Sequence, residues 1–384
     1  MRLNTMAPHA PPRLDPFLLI VSLSLLAIGL VMVTSASIGI AEARHRTPLY
    51  FGIQQTLSLC VGIPLGWLAA TLPMQFWRRV AVPFLALCVG LLILLFVPGI
   101  GREVNGSVRW LNLGFFSFQV SELTKLALIL YLAHYLVKFN AQVRTGILSS
   151  IKLFVVLGFI ALLLLMEPDF GTTVVMMATA MGMLFIGGVP VTFFIGLLGV
   201  VGSVLAWLAI SAPYRLKRLT SFLDPWADQF NSGYQLTQSL IAIGRGEITG
   251  VGLGSSVQKL LYLPEAHTDF IFAIIAEEWG LLGASFVVAL LACVVIRAFN
   301  IGLVANKRHD HFAALFCFGL GLLIGLQAII SIGVNTGLLP TKGLTLPFIS
   351  YGRTSIVVLM LALGLLFRVD YENRLAPVSV RKKG

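Results

Sequence analysis

Ionisable side chains are scarce in this chain: its 384 residues include 16 Asp or Glu and 27 Lys or Arg, 11% charged against 58% hydrophobic. So few charges cannot coat a soluble domain of this length, and so much apolar surface cannot fit inside one core. Cysteine is equally sparse. Cys60, Cys88, Cys293 and Cys317 all lie within apolar runs and none forms a CxxC pair, so they predict neither a disulfide framework nor a metal site.

What the chain does have is hydrocarbon-length apolar sequence. Runs of seventeen or more mostly apolar residues begin near Phe17, Phe51, Val80, Val120, Ile151, Thr172, Val191, Asp269, Phe312 and Thr354. Each is long enough to cross about 30 Å of hydrocarbon as a helix. The expected fold is an all-α integral membrane protein, a bundle of about ten transmembrane helices forming one polytopic domain over 1–384. Arg2 and Arg13 ahead of a run reaching Thr34 read as an uncleaved signal anchor, with 1–16 and 369–384 as cytoplasmic tails. The segments then placed inside hold 15 Lys or Arg and 4 Asp or Glu, which is the whole net charge of +11. The positive-inside rule therefore explains the basic balance without a nucleic-acid partner. Arg381-Lys382-Lys383 suits contact with anionic membrane lipids. No internal repeat stands out, nor a matched pair of broken helices of the kind inverted-repeat transporters use.

Residues 211–268 are polar enough to leave the bilayer and form a large extracytoplasmic loop between the seventh and eighth spans. Within it Leu216, Leu219 and Leu223, and again Leu236, Leu240 and Ile243 after Gly233, recur at helical spacing. Two amphipathic helices on the outer surface are expected. Gly244, Gly246, Gly250, Gly252 and Gly254 follow. They read as a flexible connector, with a backbone anion nest as the minor alternative.

The chemistry-bearing residues gather at the outer loops. Asn105-Gly106 marks a turn, and Arg109-Trp110 places a guanidinium beside an interfacial ring, an arrangement that also suits a membrane-belt anchor. Lys125 lies inside an apolar helix with Glu122 one turn before it, as either an ion pair or a binding group. Asp269 stands where the long loop re-enters hydrocarbon, a position that marks a functional site by default. Of the adjacent acids Glu277 and Glu278, at least one must face the interior and find a partner. Lys342 sits between Pro340 and Pro347 in a loop that suits a preorganised site or a re-entrant plug. His267 near Asp269 hints at a metal pair, but two ligands are too few to make one.

Together these motifs resemble the SEDS family (shape, elongation, division and sporulation), multi-spanning peptidoglycan glycosyltransferases of the bacterial inner membrane. The resemblance covers most of the chain. It rests on Asn105-Gly106 with Arg109-Trp110, Gln119 with Ser121-Glu122 and Lys125, Glu167-Pro168-Asp169-Phe170-Gly171-Thr172, Pro264 to Ala273 with Glu277-Glu278, and Leu338-Leu339-Pro340 through Ser350-Tyr351-Gly352. Lys259 to His267 and Pro340-Thr341-Lys342-Gly343 are similar to the division branch. Val120, Trp279 and Arg353 stand where the family commonly has Pro, Leu and Gly.

The resemblance implies polymerisation of lipid II into β-1,4 glycan with inversion and release of undecaprenyl diphosphate, for septal wall synthesis during cell division. It assigns Asp269 the role of base toward the acceptor hydroxyl. Arg109, Lys125, Lys342, Glu122 and His267 are the expected substrate contacts, with Glu278 a structural intramembrane acid. No metal site or cofactor is expected, although a divalent cation, Mg or Mn, could help at the diphosphate. The implied partners are a class B penicillin-binding protein and other divisome membrane proteins, with both termini cytoplasmic and the chain at the division septum. Two rival readings are a lipid II flippase, which Lys125, Glu122 and Glu278 would suit, and a scaffold that only recruits the transpeptidase.

Overall fold

The structure, a computed structural model, describes residues 14–104, 107–112, 117–141, 147–210, 222–340 and 343–375. Ten apolar helices follow one another: α1 (Pro16–His45), α2 (Tyr50–Thr71), α3 (Met74–Leu94), α4 (Val120–Lys138), α5 (Ile147–Met166), α6 (Phe170–Ile186), α7 (Val191–Ile210) and, after the long loop and its helix α8 (Tyr234–Gly246), α9 (Ile271–Lys307), α10 (His311–Asn335) and α11 (Arg353–Leu375). Among the described residues seven of them are long and apolar enough to span a bilayer, with slightly shorter apolar helices at 152–166 and 170–186. The bundle matches the expected architecture.

Helix starts fall within a few residues of the expected ones, with one exception. α3 begins at Met74, with extended Pro73 as its N-cap, before the Arg78-Arg79 pair that masks its first turns in a hydropathy reading. α11 runs on to Leu375, so the segment from 369 begins as helix. Of the two amphipathic segments, the second is α8, with Leu236 buried and Gly233 at its N-cap. Residues 211–221, which hold Leu216 and Leu219, lie outside the described residues, as do tail residues 1–13 and 376–384.

The helices pack as membrane helices do, through small residues that let backbones meet. Gly66 and Gly364 bring α2 and α11 into backbone contact, and a β-carbon at either position would strike the other helix's main chain. At the end of the bundle that holds the start of α1 and the end of α11, Arg297 of α9 bridges Asp15 at 2.6 Å and Asp370 at 3.5 Å, while Arg374 reaches Asp370 at 2.6 Å. That network ties α1, α9 and α11 together on the face that the charge count placed inside.

Two features depart from the sequence reading. The loop before α4 is a three-stranded antiparallel sheet, β1 (Gly101–Val104), β2 (Ser107–Asn112) and β3 (Ser117–Gln119), in the order β1-β2-β3. Arg102 pairs with Trp110, Val104 with Ser107, and Trp110 with Gln119; Asn105-Gly106 lies outside the described residues. More consequentially, the glycine-rich connector is a fitted part, not a flexible one. α9 breaks at Gly280, whose φ of 66° and ψ of −165° are open to glycine alone. The backbone groups freed by that break are paired by the connector: Val251 and Gly252 donate to the carbonyls of Glu277 and Glu278, and Leu281 and Leu282 donate to those of Glu247 and Ile248. Irregular backbone survives at such depth only when protein satisfies it. The connector does so here.

Candidate functional site

Asp269 ends the long loop one residue before Phe270, the N-cap of α9, and is half-buried. Three residues from two elements fix the backbone of its segment. Asn335, fully buried at the end of α10, donates to the Asp269 carbonyl at 2.9 Å and accepts from Ala273 N at 3.1 Å. Ser350 donates to the Thr268 carbonyl at 2.6 Å and itself accepts from Leu346 N. Tyr351 N donates to the His267 carbonyl at 3.0 Å. The last outer loop thus closes on the catalytic-candidate segment from one side and α10 from the other. Gly343 faces the carboxylate so closely that a β-carbon there would stand 2.8 Å from Oδ2.

That last loop dips into the protein as the plug reading allowed: Leu344, Leu346, Phe348, Ile349 and Ser350 are all buried. Leu344 lies against Gly171 at the start of α6, which brings the Glu167 to Thr172 motif beside the Asp269 segment. Lys342 lies outside the described residues.

Arg109 projects from β2 onto the turn between α5 and α6. It donates to the carbonyls of Glu167 and Pro168, at 3.3 and 2.5 Å, and stands 3.9 Å from Asp169. Asp169 caps α6 by accepting from Thr172 N and receives Ser121 Oγ at 3.4 Å; Ser121 is in turn held by Gln119. Glu167, 1% exposed, has neither carboxylate oxygen hydrogen-bonded among the described residues. Burial first, and then repulsion from Asp169, push its pKa up to about 8 against the pull of Arg109. Its burial therefore favours the protonated carboxyl, set beside the Arg109 and Asp169 ion pair.

His267 is buried against Phe51 and Tyr351, with ring centroids 4.4 and 5.7 Å away. Burial first lowers its pKa to about 4, against the opposing pull of Glu265 and with a smaller push from Arg44, which favours the neutral ring at physiological pH. Glu122 and Lys125 form a buried ion pair of 2.8 Å, and Lys125 also approaches Gln327 at 3.4 Å. Gln327 donates to the Thr345 carbonyl at 3.0 Å, coupling this intramembrane pair to the last outer loop.

Both acids after Asp269 are buried, which the break at Gly280 and its connector make possible. Glu278 pairs with Lys259 at 2.8 Å and accepts from Ser35 of α1. Glu277 accepts from Ser256 Oγ, from Val257 N at 3.1 Å, and from Arg245 of α8 at 3.4 Å. Ser256, Asn335 and Gln327 had no signal in the sequence beyond being polar near apolar runs, and Lys259 was marked only as part of the Lys259 to His267 motif, without a partner.

Comparison with known proteins agrees with this architecture. A family model described as cell cycle protein, that of FtsW, RodA and SpoVE, matches residues 16–375. A probable peptidoglycan glycosyltransferase FtsW of Legionella pneumophila is 51% identical over 367 residues, 96% of this chain and 93% of that protein. One from Coxiella burnetii is 48% identical over 359 residues, 94% and 96% of the two chains. Among solved structures, a chain of a peptidoglycan synthase complex that coordinates polymerization and crosslinking is similar with a TM-score of 0.77 at 27% identity, over 95% of this chain and 99% of that one. The rod shape determining protein RodA of Thermus thermophilus gives 0.69 at 26% identity, over 95% and 99%. The chain belongs to the FtsW, RodA and SpoVE family, the SEDS proteins that its motifs resemble.

Proposed function

We propose that this chain is a peptidoglycan glycosyltransferase that polymerises lipid II into β-1,4 glycan with inversion, releasing undecaprenyl diphosphate. The observation that carries the reading is half-buried Asp269, whose segment is clamped through the backbone carbonyls of Asp269, Thr268 and His267 by Asn335, Ser350 and Tyr351 N, and whose carboxylate is opened to a close approach by Gly343. The names of the relatives and the complex in which a structural neighbour was solved support the same chemistry.

Inversion needs a single displacement at the anomeric carbon of the α-linked donor. Asp269 takes the proton from the acceptor 4-hydroxyl as that oxygen forms the new glycosidic bond, and the diphosphate leaves with the bonding electrons. A base in this role typically contributes about 10² to 10⁴ in rate. The leaving diphosphate needs positive charge and donors. Arg109 is the partly exposed guanidinium nearest the Asp169 turn; its two hydrogen bonds go to neutral carbonyls, and Asp169, 3.9 Å away, also accepts from Ser121 and Thr172, so Arg109 can turn to an anion while those donors stay on the buried carboxylate. Lys342 would act beside it. Lys125 serves first to balance Glu122, and Glu278 to anchor Lys259, so both are supports of the site. Neutral His267 packs the base's segment and offers its ring edge to a polar substrate group.

Mg or Mn could share in neutralising the diphosphate. Among the described residues no three His, Cys, Asp or Glu side chains converge, and no step here runs through a cation. In this reading the partner is a class B penicillin-binding protein with other divisome membrane proteins around it. The chain sits in the inner membrane at the division septum with both termini cytoplasmic.

A flippase would need the Glu122 and Lys125 pair on a path open to both faces; the pair is instead buried against Gln327 and the plug loop. The test is incubation of purified chain and its transpeptidase with labelled lipid II. A ladder of glycan strands supports the polymerase. Movement of lipid II between leaflets of proteoliposomes without any ladder would replace it with the flippase.

A further inference from the structure

Beside the Asp269 segment, between the outer end of α1 and the loop that leads to the base, lies an open cavity of about 200 Å³. Arg44 and Glu265 supply opposite charges to its lining, and Ile40, Leu261 and Leu263 supply apolar surface. His267 also lines it; the residue is 6% exposed and its Nδ1 has no hydrogen-bond partner among the described residues. Leu261 and Glu265 hold left-handed backbone, with φ of 70° and 57°, at the two ends of the segment that forms the wall. Strain of this kind in residues other than glycine gathers at ligand clamps. None of these features is used by the displacement chemistry.

Resting on the polymerase reading, we propose that this cavity is a subsite for one residue of the lipid-linked substrate's stem peptide, a residue presenting a carboxylate and an ammonium together. The size admits a residue-sized group and is below the roughly 300 Å³ at which pockets for whole small molecules begin, so the disaccharide itself does not fit. The Arg44 guanidinium matches a carboxylate and the Glu265 carboxylate an ammonium. Glu265 is oriented for this by Thr268 Oγ1 at 2.8 Å. The buried, unpartnered His267 Nδ1 would gain a partner from a peptide amide seated against the ring, and the aliphatic wall receives the methylene stem. Position favours the donor: its anomeric carbon and the arm that carries the peptide belong to the same sugar ring. A donor placed at Asp269 therefore sends its peptide into the space lined by His267, two residues away.

A zwitterionic lipid head group has related chemistry, and the test separates the two sources. Polymerisation rates of the full chain with its transpeptidase are measured against substrate concentration, using lipid II and the same lipid-linked disaccharide without its peptide. Native protein is compared with Arg44→Ala and Arg44→Lys. The inference expects KM for lipid II to rise about tenfold in Arg44→Ala with kcat kept, as for loss of one charge-assisted bond, and Arg44→Lys to recover part of it. It expects the peptide-free substrate to show one KM for all three proteins. An equal loss on both substrates, as a head-group site or a folding defect would give, overturns it, and so does no loss on either. Failure of native protein to polymerise either substrate would instead overturn the polymerase reading, and this inference with it.

Discussion

Replacing Lys259 with Met tests whether the long loop is an integral part of the bundle. Lys259 Nζ lies 2.8 Å from Glu278 Oε1 and 3.0 Å from Ser35 Oγ, and the two charged side chains are 7% and 0% exposed. Without the ammonium, Glu278 retains one hydroxyl donor, Ser35, at 3.0 and 3.2 Å from its two oxygens. Breaking a buried pair from one side typically costs about 3 to 5 kcal/mol, because the remaining charge stays uncompensated. That is a fall of about 4 to 6 °C in the melting temperature of a chain this large. The expected readout is thermal unfolding of the purified protein in detergent, with polymerisation falling in parallel because the pair stands two to three turns from Asp269. Adding Glu278→Gln should recover more than half of the loss, since no unpaired charge remains. A shift below about 2 °C for Lys259→Met, or a double variant as damaged as the sum of its parts, would refute the argument that this pair secures the loop.

Glu167→Gln should alter the pH dependence of stability. With a pKa near 8 in the folded state against 4.5 for a free carboxyl, the native chain holds the extra proton between these values, so stability falls as pH rises from about 4.5 to 8. The variant should remove that slope, read as melting temperature at pH 5 and pH 8; identical slopes would count against a buried protonated acid. Asn335→Ala loses both clamps on the start of α9, at Asp269 O and Ala273 N, and leaves buried groups unpaired. A drop in kcat of about tenfold or more with KM little changed is expected, corresponding to about 1 to 3 kcal/mol; unchanged kcat would show that the clamp does not position the base. Gly280→Ala must place a β-carbon against the backbone of Ile248 and Gly250 at φ 66°. Loss of more than about 2 kcal/mol or failure to assemble is expected, while native-like melting would mean the connector is loose.

The bundle was legible because hydrocarbon thickness forces a long apolar run at each crossing, and the observed starts at Pro16, Tyr50, Val120, Val191, His311 and Arg353 follow those runs closely. Asp269, Arg109 and the Glu122 and Lys125 pair were visible for the opposite reason, as charges at or below the boundary. What the sequence hid was partnership at a distance. Glu278 and Lys259 are 19 positions apart, and Asn335 clamps a residue 66 positions away, separations at which no periodicity speaks. The break at Gly280 was hidden as well, since one glycine in an apolar helix is ordinarily tolerated. Only the backbone shows that it opens α9 to the connector. Glu277 and Glu278, neighbours that cannot share one helix face, are both buried because the 256–259 stretch meets both, with Arg245 of α8 on Glu277 and Ser35 of α1 on Glu278. The strands before α4 had Asn105-Gly106 as their cue, a hairpin signal that their shortness left underread.

The most direct test of the account is glycan-strand formation from labelled lipid II by Asp269→Asn beside the native chain, each with the same transpeptidase, resolved on a gel. The substitution keeps the shape of the side chain and removes the base. The account predicts that polymer falls by about 10² or more while melting temperature and transpeptidase binding stay native. Polymer made at the native rate would contradict it and remove Asp269 from the chemistry.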